Sequence, residues 1–177
     1  MPRVFACLAI CNFLLLAATA GAGIFRVGAT PDRHVLLAVV SLIVTCFLQV
    51  LTFTYFTVTG KMIAQMVHLG RLDTAYLAGV RRYKRRVTRL LAVCMVGAVL
   101  SAATGGALWR SGAQPHWHWG AGALLLVGFL FAVYHQFNAI VLNGRLMDEV
   151  TQDYEVERAS RSFSKDATRR TQADPLH

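Results

Sequence analysis

Apolar residues fall into four long blocks, at about 4–25, 34–58, 90–108 and 119–142, divided by more polar stretches. A helix of about 20 apolar residues crosses a hydrocarbon core about 30 Å thick, so each block is long enough to span. The expected fold is an all-α membrane protein, a four-helix transmembrane bundle. The first block has a rival reading as a secretory signal peptide, since Ala18-Thr19-Ala20 and Ala20-Gly21-Ala22 look like small-residue cleavage sites. Its apolar run continues past both sites to Phe25, which favours a retained helix.

The second block carries a polar stripe. Thr45, Gln49, Thr52, Tyr55 and Thr59 lie at steps of 4, 3, 3 and 4, on one helical face. Lipid cannot satisfy such a face, so it turns to other helices or to a cavity. Helical spacing then continues outside the membrane through Met62, Ile63, Met66 and Val67, with Gly60 marking the crossing. Gly70 is the expected stop and Asp73 the expected N-cap of the next helix. That helix opens with a seam of Tyr76, Leu77, Val80, Tyr83 and Val87, which predicts a helical hairpin over 59–89 before the third span. Within that span Gly97, Ser101 and Gly105, with Ala98, Ala102 and Gly106, form small-xxx-small repeats that permit close helix approach. The fourth span ends near Asn143-Gly144-Arg145. Leu146, Val150 and Tyr154 keep helical spacing, as a surface helix over 143–159 or a continuation of the span. From 160 to 177 no apolar pattern remains, and the tail is expected to be disordered.

Composition agrees with a membrane chain. Of 177 residues 55% are hydrophobic and 15% charged, against about 25% charged in soluble domains. Mean hydropathy is +0.47. The net charge of +9 would suggest nucleic acid in a soluble protein, but here the basic residues cluster beside spans for topological reasons, so nucleic acid is not an expected partner. Eight lysines and arginines lie between Lys61 and Arg89, two in the Arg26–His34 connection and one in the Arg110–His118 connection. Positive-inside bias therefore places the middle connection and both termini in the cytoplasm, with the protein in a bacterial inner membrane. Arg81, Arg82, Lys84, Arg85, Arg86 and Arg89 are expected to meet anionic lipid headgroups.

At about 1.5 Å per residue, Asn12, Gln49, Cys94 and His135 all fall in the inner half of the membrane. With Thr52, Tyr55 and Asn138 they define an expected inner polar layer in which Gln49 and His135 are candidate neighbours. Gln49, Tyr55, His135 and Asn138 are the candidate ligand-binding residues. The simplest reading is that the layer's side chains bond to one another and fix the bundle. The alternative is a pocket for a quinone or b-type haem. A bis-His haem needs two imidazoles at one depth, and His135 has no such partner, because His34, His116 and His118 lie at the outer ends. His116 and His118 form a weak metal pair, too few ligands for zinc or copper. Cys7, Cys11, Cys46 and Cys94 lie in apolar blocks without zinc spacing. Neither GxSxG, HExxH nor a phosphate loop is present.

The Phe53–Lys61 run FTYFTVTGK, with HVLLAVVSLIV before it and RRYKRR after it, resembles a group of small uncharacterised four-helix bacterial membrane proteins. Their second span ends in a similar Phe-Tyr-Phe, Thr-Gly-Lys run. The resemblance covers the middle third of the chain and implies the four-helix fold. In that group a His stands where this chain has Gln49, which weakens a haem or metal reading. The expected function is a non-catalytic accessory or assembly subunit of a larger membrane complex, in contact with the bilayer and with other membrane subunits. The alternative is a redox-linked protein holding a quinone or haem in the inner polar layer.

Overall fold

The computed structural model describes residues 2–25, 31–111 and 116–173, all built into four helices and one turn. They are α1 (Pro2–Phe25), α2 (Pro31–Gly70), α3 (Ala75–Ser111) and α4 (His116–Ala173). Pro2 and Pro31 each open a helix, where a missing N–H costs nothing, and no proline interrupts one. Residues 26–30 and 112–115, within the Arg26–His34 and Arg110–His118 connections, lie outside the described residues.

α2 and α4 run parallel through the centre and touch each other. α1 and α3 flank them, each packed on both and neither on the other. All four helices contain a segment long and apolar enough to cross a membrane, so this is a multi-pass membrane protein by length and hydropathy. α1 takes part fully: Phe5, Ala9 and Asn12 are buried against its neighbours.

α2, α3 and α4 are 40, 37 and 58 residues long, or about 60, 55 and 87 Å. They outrun α1 at one end and form a three-helix extension. The hairpin expected from α2 and α3 is thus closed by a third helix. Ile63, Val67, Val80 and Val150 are its core, with Met66, Leu77 and Leu146 packed around them. α4 has no break at Asn143-Gly144-Arg145, and the stretch from 160 expected to lack structure is helical to Ala173. Part of the reason is Arg161. Its guanidinium donates to the carbonyls of Leu69 (3.0 Å) and Gly70 (2.8 Å) and pairs with Glu157 at 2.9 Å, so α4 itself caps the C-terminus of α2.

The α2–α3 turn is a Schellman motif. The Leu72 N–H donates to the Val67 carbonyl at 3.0 Å, and the left-handed residue is Arg71, with φ 55°. The stop therefore falls one residue later than Gly70. Gly70 is needed for space instead: a Cβ there would stand 3.0 Å from both Leu72 and Tyr154. Asp73 caps α3 as expected, its Oδ1 accepting from the Ala75 N–H at 2.8 Å. Gly60 lies against Val80, and Gly97 against Leu125, so these glycines set how closely α3 meets its neighbours.

Candidate functional site

Between the spans runs a seam of paired polar side chains. Asn12 and Thr45 bond reciprocally, Nδ2 to Oγ1 at 3.1 Å and Oγ1 to Oδ1 at 3.2 Å. Thr19 and Ser41 share a hydroxyl bond of 2.7 Å. Gln136 donates to Gln49 Oε1 at 2.9 Å, and Asn143 donates to Thr59 Oγ1 at 2.9 Å. Thr52 returns its hydroxyl to the Leu48 carbonyl at 2.9 Å. Asn12, Gln49, Gln136 and Asn143 are all at most 1% exposed, so each bond replaces water that a buried amide has lost. Gln49 Nε2, Gln136 Oε1 and Asn143 Oδ1 are left without a hydrogen-bond partner.

The partner of Gln49 is thus Gln136 and not His135. One residue of helix is about 100° of rotation, and that step turns His135 off the seam. His135 is half-buried, its ring edge-on to Phe131 with centroids 4.3 Å apart. Tyr55 reaches only to 3.5 Å from the Ile140 carbonyl, and its ring packs edge-on against Phe56. Asn138 is half-buried and Cys94 buried. The candidate layer is therefore divided: Gln49 lies in the seam, Tyr55 packs beside it, and His135 faces a different surface.

That surface is a cleft of about 770 Å³ between α3 and α4, where the spans meet the extension. Arg81, Arg82, Arg85, Arg86 and Arg89 line it from α3, and Phe131 and His135 from α4. Lys84, expected with them, points elsewhere, its Nζ 5.7 Å from the centre of the Phe53 ring. Among the described residues the one ion pair is Arg161–Glu157, so none of the five arginines has a carboxylate at ion-pair distance.

At the other end of the bundle His34 and His118, from α2 and α4, line a cavity of about 160 Å³ with Thr19 and Ser41. The His116 side chain lies outside the described residues. Among the described residues no three His, Cys, Asp or Glu side chains are grouped to hold a metal ion.

Sequence reasoning missed Gln136 and Asn143. The signal was available: Phe129, Gln136, Asn143 and Val150 recur every seven residues, and each is at most 2% exposed. A seven-residue repeat marks the seam facing a partner helix.

No family model, curated protein or solved structure matches this chain, so the comparisons identify no family for it.

Proposed function

We propose that this chain is a non-catalytic accessory or assembly subunit of a larger membrane complex, joined to its partners through the outlying end of α4. One observation carries the reading. The three-helix extension closes near Arg161, yet α4 runs on to Ala173. On that helix Val156, just before the closure, and Phe163, just beyond it, lie seven residues apart and are 66% and 80% exposed. A helix stripe so placed is suited to an apolar groove on another subunit. The buried polar side chains of the spans support the same reading, since all but Thr52 are engaged with other side chains in packing bonds. The proposed setting is a bacterial inner membrane with the extension and both termini in the cytoplasm. A cytoplasm-dependent reporter fused after Gly70 or Ser162 should be active, and one fused after Gly28 or Gly112 silent.

Purification from native membranes in mild detergent tests the function. The expected product is a colourless assembly with other polypeptides in fixed ratio, which Val156→Ser with Phe163→Ser dissociates. A monomer carrying stoichiometric quinone or haem would overturn the reading. The redox alternative rests on the unspent amide ends of Gln49 and Gln136.

A further inference from the structure

We infer that the α3–α4 cleft is a discrete site for one phospholipid whose headgroup carries two phosphates. The first observation is charge. Five guanidiniums, from Arg81 to Arg89, line one concavity, and among the described residues none is neutralised by a carboxylate at ion-pair distance. Arginine presents its donors as a planar fork matched to phosphate oxygens, and a basic pocket between spans is a known way to hold a polyanionic headgroup. Lysine would serve as a point charge, and the one lysine of the run, Lys84, is turned away onto Phe53.

The second observation is extent. From Arg81 to Arg89 the helix advances about 12 Å. One phosphate engages one or two guanidinium forks, so it cannot reach five spread over that length. Two phosphates joined by a short linker can. A volume of about 770 Å³ gives room for such a headgroup.

The third observation is position. Leu90 and Phe131 line the same cleft on its membrane side, and beyond them the surface is lipid-facing: Val93 is 70% exposed and Val127 65%. A ligand held by the arginines therefore has an apolar wall along which acyl chains can run. A free phosphate compound would use the arginines and leave that wall empty, which is why a lipid is the occupant chosen. His135 sits at the junction, beside the apolar Phe131 ring, where its imidazole can donate to a phosphate oxygen.

The test uses the full chain in detergent, stripped of lipid, with binding followed by native mass spectrometry and by thermal unfolding. The probes are diphosphatidylglycerol, phosphatidylglycerol at equal total charge, phosphatidylcholine and inorganic pyrophosphate. One diphosphatidylglycerol per chain should bind, and it should raise the unfolding temperature more than the other three. Arg82→Gln with Arg85→Gln and Arg89→Gln should weaken it about 100-fold, and Arg85→Gln alone about five-fold. Lys84→Gln should leave it unchanged. These arginines are exposed, so the variants should keep their helix content; if the triple variant does not fold, the single variant decides. Equal binding of phosphatidylglycerol would overturn the two-phosphate assignment. Displacement of lipid by equimolar pyrophosphate would overturn the lipid, and an equal loss in Lys84→Gln would reduce the site to diffuse charge.

Discussion

The two halves of this molecule differ in what they bury and in what they turn outward. Where the spans pack, the interior mixes apolar Phe5, Leu48, Phe56 and Phe129 with polar Asn12, Ser41, Thr45, Gln49, Thr52 and Gln136, while Leu14, Val93 and Leu124 face outward at 61%, 70% and 74% exposure. In the three-helix extension the interior is Ile63, Val67, Val80 and Val150, and the charges face outward. The same three helices run through both halves, so backbone and connectivity are not the difference. The solvent is. Water drives apolar groups together, whereas lipid is as apolar as leucine and offers no such gain. Among the spans, cohesion comes from close packing and hydrogen bonds between side chains that lipid would leave unsatisfied.

The sharpest way to break that comparison is to remove apolar bulk from each half. Ile63 is fully buried, and Ile63→Ala should cost about 2–5 kcal/mol by losing transfer energy and leaving a cavity. Leu14→Ala, on the lipid-facing surface, should cost only a few tenths by comparison, because its side chain leaves one apolar medium for another. Denaturation in detergent measures both. Similar losses would mean that the two halves are held together in the same way.

The next effect probes the polar seam. Gln49→Leu leaves Gln136 without its acceptor, and Gln136→Leu leaves Gln49 without its donor. Each should cost about 1–3 kcal/mol, and the double variant should recover part of the loss because no orphan amide remains. His135→Leu should combine additively with Gln49→Leu. Coupling between Gln49 and His135 instead would contradict the geometry described above.

Arg71 offers a smaller gain. It holds φ 55° at the α2–α3 turn, a conformation that suits glycine. Arg71→Gly should stabilise the extension by about 0.5–1 kcal/mol, net of the entropy glycine adds to the unfolded chain, and leave the spans unaffected. Hydrogen exchange resolved by segment would show the increase in protection at 62–80.

The smallest expected effect lies in the pH dependence of the extension. Tyr76 donates to Asp153 at 2.6 Å, and that bond, with the nearby carboxylate charges, pushes its phenol up to about 12 from the usual 10. The folded state therefore holds this proton more tightly. The bond's contribution is complete below pH 10 and is lost as pH rises toward 12. Against Tyr76→Phe, the native chain should lose stability more steeply over that interval. Parallel alkaline profiles would mean that the bond contributes nothing measurable.

Much of this architecture is set by local sequence. Four apolar blocks fix four spanning helices, because a chain in lipid must satisfy its own backbone. Asp73 caps α3 through a bond to a backbone N–H two residues away, which needs no knowledge of the rest of the fold. Asn12 and Thr45 are legible as interior positions, since an amide facing lipid would be costly.

What tertiary packing decided is azimuth and partnership. His135 and Gln136 are adjacent and both polar; seven-residue spacing sets Gln136 on one face with Phe129 and Asn143, but only the packing of α4 on α2 makes Gln49 its partner and leaves the histidine beside the arginines. Lys84 sits within a run of arginines but leaves their surface for Phe53, for the same rotational reason. The length of α4 is likewise a tertiary outcome. Beyond Phe163 its last turns carry no apolar pattern of their own, and Arg161 reaches carbonyls at the end of α2, 91 and 92 positions away in sequence. Periodicity reports which residues share a face. It does not report which neighbour that face meets, because that is settled by the joint packing of helices far apart in the chain.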